Sequence, residues 1–211
     1  MFAILDNIEI ANGSLQRRYL LVDILCSLIN TEKIKTIISL AGGSCVVPIE
    51  AIFQTEDNSL LLINIDISDK ALSRSNLVLA NANSQKTGKK VNLSTYKMEL
   101  TSGGFELPDF GNCPKIIECT ELWEYLNTEN RNQLLKSVYN GLNNYDSYFI
   151  LTVLVNNPDE NFFHSLGFKN LYPCSIKEVI AFVESSFSIE NIVFTPNRTY
   201  AIFILKRKES N

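Results

Sequence analysis

Ile34–Ser44, IKTIISLAGGS, and Leu60–Ile67, LLLINIDI, decide the fold. Each opens as a short β-branched and apolar run, the composition of a strand buried on both faces. The first run stops at Ala41-Gly42-Gly43-Ser44, a tight turn whose glycines let the backbone come close to a ligand. Val46–Phe53 then reads as a helix, with Pro48 in its first turn, where a missing N–H costs nothing. The second run closes on Asp66. Ser68 caps the next helix with Asp69 in its first turn, and that helix runs through Leu72, Leu79 and Ala82 to a stop at Gly88. Strand, glycine turn, helix, strand is a βαβ unit, whose strands lie parallel.

The same alternation extends outward. Upstream, Asn12-Gly13-Ser14 reads as a turn and cap before a helix with an apolar face of Leu15, Tyr19, Val22, Cys26 and Ile29, ending at Thr31–Lys33. Downstream, Val91–Met98 and Lys115–Cys119 are strands three and four. Asn127 or Thr128 caps a helix with the apolar stripe Leu134, Leu135, Val138, Tyr139 and Leu142. Tyr148–Val155 is a fifth strand, Pro158–Leu166 a helix, and Ser175 with Glu178 a capping box. Ile192–Thr195 and Tyr200–Lys206 form a hairpin around Pro196-Asn197-Arg198. Five alternations and a closing hairpin imply an α/β fold: a mostly parallel sheet with helices on both faces and one antiparallel strand.

Composition narrows the function classes. The 211 residues carry 45% hydrophobic and 20% charged side chains, ordinary for one globular unit. The net charge of −4 and pI near 5.1 argue against binding nucleic-acid backbones. Lys206-Arg207-Lys208 reads as a solvated end. The longest apolar runs fall well short of the ~20 residues that span a bilayer, and the N-terminus lacks the basic flank of a signal peptide. Five cysteines, no two spaced CxxC, read as reduced thiols in a cytoplasmic protein. A single histidine, His164, excludes a multi-His metal site, and no metal is expected.

In open α/β sheets, ligands bind beyond the carboxyl ends of the strands. Gly42-Gly43 closing one strand and Asp66 closing its neighbour suit an adenosine-type ligand: backbone N–H groups beneath it, and a carboxylate for the ribose diol. A dinucleotide site wants GxGxxG, but the glycines here are adjacent and Val46 takes the third glycine position counted from Gly43.

From about Ile34 to Lys206 the chain resembles the class I S-adenosylmethionine-dependent methyltransferases. The likeness rests on IISLAGGS, LLLINIDISDKAL with LANANSQKTGK, KMELTSG, KIIECTELWEYL and ENIVFTPNRTYAIFILKRK. It implies a Rossmann-like three-layer sandwich with a seven-stranded sheet in the order 3-2-1-4-5-7-6, the last strand antiparallel. It also implies S-adenosylmethionine as cofactor, S-adenosylhomocysteine as product, and the placement of residues. Ala41, Gly42 and Gly43 would lie under the methionine and ribose. Asp66 would bind the ribose hydroxyls and Ile67 would pack on adenine. Glu99 or Leu100 would meet the adenine edge, and Glu118, Cys119 and Thr120 would line the sulfonium side. The family usually carries an acid where Ser39 stands, to contact the cofactor's amino group, and glycines where Ala41 and Cys45 stand. Glu118 is the candidate to replace that acid.

Residues 1–33 resemble an N-terminal helical cap before a methyltransferase domain spanning 34–211. In the cap, Arg17 and Arg18 suit an acceptor carboxylate, and Tyr19 joins Arg17 as a candidate acceptor contact. The loop after the fourth strand offers Glu121, Tyr125 and Trp123. His164, with a titratable imidazole, is the candidate base beside Glu121 and Tyr125. No Asn-Pro-Pro-Tyr-like tetrapeptide follows the fourth strand, which disfavours nucleobase or glutamine-amide acceptors and leaves a small molecule, methylated at oxygen or nitrogen. Two alternatives stay open: a non-catalytic cofactor-binding module acting through a partner, and the same cofactor used for transfer of another group.

Overall fold

The computed structural model describes residues 9–56, 59–85, 89, 91–101, 104–161 and 173–208. In chain order they form α1 (Glu9–Glu32), β1 (Thr36–Leu40), α2 (Val46–Gln54), β2 (Leu61–Asp66), α3 (Asp69–Gln85), β3 (Asn92–Lys97), β4 (Lys115–Cys119), a short 3-10 turn (Trp123–Tyr125), α4 (Thr128–Gly141), β5 (Tyr148–Leu154), α5 (Ile176–Val183), β6 (Phe187–Phe194) and β7 (Tyr200–Arg207). The strands make one seven-stranded sheet in the order β3-β2-β1-β4-β5-β7-β6. β7 runs antiparallel to both β5 and β6, and the other pairings are parallel. This is the expected topology, the antiparallel last strand included.

Burial explains the order. β1, β4 and β5 are buried along their whole length, as central parallel strands covered on both faces must be. β3, at the edge, is largely exposed. One face of the sheet packs α1, α2 and α3 around Ile37, Ile52, Leu62, Ile116 and Ile150. The other packs α4, α5 and the 3-10 turn around Ile38, Ile63, Ile117, Leu151 and Phe203.

The caps predicted at Asn127 and Ser175 hold. Asn127 caps α4 by accepting from the Asn130 N–H at 2.9 Å, and Ser175 and Glu178 form a full capping box on α5. Two sequence expectations change. Asn12-Gly13-Ser14 lies inside α1 and is neither a turn nor a cap before it. Gly13 is there for close packing, because a Cβ would come within 2.8 Å of the Thr199 Cβ. The buried face of α1 is also rotated from the predicted one. It comprises Ile10, Gly13, Arg17, Leu21, Val22, Leu25 and Ile29, while Leu15 and Tyr19 are exposed at 48% and 57%. A buried arginine on that face hides it from any hydrophobic periodicity. The predicted stop at Gly88 and most of the helix predicted over Pro158–Leu166 lie outside the described residues.

Candidate active site

β1 sits between β2 and β4, so the carboxyl ends of all three converge. Register aligns Ser39 with Asn64 on one side and with Glu118 on the other. The glycine turn that follows is clamped to β2 by side chains. Asp66 Oδ2 accepts from the Gly43 N–H at 3.0 Å, and Asn64 Nδ2 donates to the Gly43 carbonyl at 3.0 Å. Asp66 Oδ1 also accepts from the Ser68 N–H at 2.8 Å, fixing the entry to α3. Each carboxylate oxygen takes one backbone donor and retains acceptor capacity for another.

The turn itself is strained. Ala41 and Cys45 have φ of 52° and 53°, in the left-handed region that disfavours a Cβ. These are the two positions where the resembled family carries glycine. Gly43 also has positive φ, at 55°, and a Cβ there would meet nothing within 4 Å. At Gly42 a Cβ would strike the Ser39 hydroxyl and approach Asn64 Oδ1 to 2.7 Å.

Two cavities flank this turn and share Ala41. One, of about 100 Å³, is lined by Ala41, Asp66, Ile67, Glu99, Leu100 and Leu122, with Met98 and Thr101 completing it. The other, of about 260 Å³, runs along Ala41–Pro48 to Glu118, Thr120 and Glu121, with Arg17, Arg18 and Leu21 of α1 as its outer wall. The predicted cofactor residues thus divide between two adjoining spaces. Ser39 is the exception: fully buried beneath them, its hydroxyl donates to Glu118 Oε1.

Glu118 is 2% exposed, and its Oε2 has no hydrogen-bond partner among the described residues. Burial pushes its carboxyl up to about 7, against the opposing pull of the Ser39 and Thr120 hydroxyls and Arg17. Arg17, 5% exposed, donates from Nη2 to Ser14 Oγ at 3.0 Å and to Glu121, and its guanidinium lies 4.4 Å over the Tyr200 ring. Its Nη1 is buried and unpartnered among the described residues. Arg18 pairs with Glu50 at 2.7 Å.

The remaining predicted residues scatter. Tyr19 points to solvent and lines neither cavity. Trp123 is fully buried core, edge-on to Phe182 and covered by Arg131 at 5.0 Å, rather than a wall of either cavity. Tyr125 is 45% exposed, and partial burial with Glu124 nearby raises its phenol. Glu121 is spent in the ion pair with Arg17. His164 lies outside the described residues.

Two residues that the sequence reading missed matter here. Asn64 is the one polar residue ahead of Asp66 in the LLLINID strand, a signal that was readable. Glu124 is 4% exposed, its Oε2 unpartnered among the described residues, and burial pushes its carboxyl up to about 7 despite Arg17 and Arg131. Nothing in the local pattern marks it as buried.

The fold is that of the class I S-adenosylmethionine-dependent methyltransferases. Among solved structures, the chain is similar to the magnesium protoporphyrin IX methyltransferase ChlM of Synechocystis PCC 6803 with bound S-adenosylhomocysteine. That likeness has a TM-score of 0.70 and 12% identity, over 94% of this chain and 87% of that one. A possible exported protein from Bordetella parapertussis gives 0.72 at 11% identity, over 96% and 70%. OxaC, solved with S-adenosylhomocysteine and oxaline, gives 0.62 at 10% identity, over 82% and 42%. No protein-family model and no curated protein matches the chain. No helix among the described residues is long and apolar enough to cross a membrane.

Proposed function

We propose that this chain transfers the methyl group of S-adenosylmethionine to the oxygen or nitrogen of a small-molecule acceptor, leaving S-adenosylhomocysteine. The observation that carries the reading is the pair of cavities meeting at Ala41, one against Asp66, the other against the buried Glu118 carboxyl with one oxygen unpartnered among the described residues. Their residues fit the cofactor. Asp66 has acceptor capacity left for the ribose diol, Ile67 and Leu100 would offer apolar surface to adenine, and Glu99 or Leu100 would meet its edge. The Gly42–Gly43 backbone passes beneath, with open space above Gly43.

S-adenosylmethionine, when bound, supplies a methyl group already activated by the sulfonium charge. The protein must align the acceptor with it and keep water out. It must also take a proton when the nucleophile carries one at neutral pH. Of the loop residues, Glu121 is held by Arg17, burial raises the Tyr125 phenol, and the Glu124 carboxyl, pushed up to about 7 by burial, lines neither cavity. α1, within the 1–33 cap, and the Thr120–Tyr125 loop would border the acceptor. The acidic charge and the absence of an Asn-Pro-Pro-Tyr-like segment favour a small metabolite over nucleic acid, and five free cysteines suit a cytoplasmic setting.

Calorimetry with S-adenosylmethionine and S-adenosylhomocysteine tests the cofactor, with heat expected from both. Mass spectrometry of acceptor mixtures then looks for a gain of one methyl. No heat from either ligand refutes the proposal and leaves the fold as a partner-binding module.

A further inference from the structure

The resembled family contacts the cofactor's amino group with an acid at the end of the first strand, where this chain has Ser39. Ser39 and Glu118 are register partners on β1 and β4, so one inter-strand spacing, about 4.8 Å, separates their backbones. The Ser39 hydroxyl holds Glu118 Oε1, leaving Oε2 as the unsatisfied atom of a residue that lines the 260 Å³ cavity. A buried polar atom without a partner calls for an occupant.

The same cavity holds a second such residue of opposite charge. Arg17 is fixed on one side by Ser14, Glu121 and the Tyr200 ring, and its Nη1 is left over. Close by, the nine-residue α2 begins at Val46 with no side-chain cap on its N-terminus. Its first N–H groups have no partner within the helix and favour an anion. A buried polar atom left without a hydrogen bond is costly. An occupant that is only an anion would leave Glu118 Oε2 without a donor, and one that is only a cation would leave Arg17 Nη1 without an acceptor.

A group with an ammonium and a carboxylate on one carbon satisfies both. Resting on the cofactor reading above, we propose that Glu118 and Arg17 hold the α-amino-acid end of that cofactor. Glu118 takes the ammonium from β4 in place of an acid on β1, and Arg17, with the start of α2, takes the carboxylate. Continuity through Ala41 supports this, because a ligand whose ribose sits at Asp66 reaches the second cavity within a few bonds. Arg17 thereby belongs to the cofactor and not to the acceptor.

Calorimetry with three probes tests it. S-adenosylhomocysteine carries the whole amino-acid end, its decarboxylated analogue lacks the carboxylate, and 5′-methylthioadenosine lacks both charges. The wild-type protein should bind S-adenosylhomocysteine at least about tenfold tighter than either, the scale of one lost hydrogen bond to a charged group. Glu118→Gln, nearly isosteric, should lose about tenfold toward S-adenosylhomocysteine and keep 5′-methylthioadenosine within about twofold. The double variant Ser39→Asp, Glu118→Ser, which returns the acid to β1, should regain part of that loss. Equal wild-type affinity for all three probes overturns the proposal while leaving the nucleoside reading intact, and needs no variant to fold. No binding of any probe overturns the cofactor reading itself.

Discussion

Two adjacent glycines should fail in opposite ways when each is changed to alanine. At Gly42 the added Cβ meets the Ser39 hydroxyl and comes 2.7 Å from both Asn64 Oδ1 and Ser39 Cβ. Ser39 and Asn64 are fully buried on paired central strands, so neither has room to yield. Overpacking of this kind costs about 1–3 kcal/mol. Displacing Asn64 also breaks its bond to the Gly43 carbonyl, about 1 kcal/mol more. The sum, about 2–4 kcal/mol, lowers the melting temperature of a chain this size by on the order of 10 °C. At Gly43 the Cβ meets nothing. Its left-handed φ costs about 1–2 kcal/mol, partly offset by about 0.4–1 kcal/mol from the stiffer unfolded chain, so melting should shift by a few degrees at most. The new methyl does, however, enter the space lined by the turn, and S-adenosylhomocysteine affinity should fall at least about tenfold. Scanning calorimetry and titration calorimetry on both variants decide the matter. Unchanged melting of Gly42→Ala, or unchanged ligand affinity of Gly43→Ala, refutes the reasoning.

Asp66→Ala should weaken S-adenosylhomocysteine by about 1.5–3 kcal/mol. It should also lower the melting temperature, because the same oxygens hold the Gly43 and Ser68 N–H groups; an unchanged dissociation constant would mean the ribose lies elsewhere. Ala41→Gly relieves a left-handed alanine and should stabilise the protein by up to about 1 kcal/mol, read as a higher urea midpoint. The ligand-free protein should lose stability as pH rises from 4.5 to about 7. The Glu118 and Glu124 carboxyls, pushed up by burial, hold protons more tightly in the folded state than in the unfolded one. Their stabilising contribution is complete below 4.5 and is lost through about 7. Urea midpoints across that window should flatten in the Glu118→Gln, Glu124→Gln double variant, and an unaltered slope would count against both assignments.

The element order, the glycine turn, the Asp66 terminus and both helix caps were legible because each is a local pattern. Alternating apolar runs, a capping residue three positions before its partner, and an acid closing a strand all declare themselves within a few residues. The site's charged groups were less so. Glu118 could be placed at the end of β4, but its pairing with Ser39 is a matter of register between strands 79 residues apart. Glu121 and Tyr125 looked as available as Glu124, because a turn's sequence does not say which of its side chains folds inward.

α1 shows the division most plainly. Its hydrophobic spacing was enough to make a helix but gave a face rotated from the buried one, sharing Val22 and Ile29 with it, since Arg17 is buried by an ion pair and an aromatic ring that come from Glu121 and Tyr200, far along the chain. What the amino-acid order determined by itself is the succession of strands and helices and the small residues and acid at their ends, all set by propensity and periodicity at short range. Which carboxylates lose their water, and which charge faces which, only the packed tertiary structure decided, because desolvation and cross-strand pairing are properties of neighbours in space.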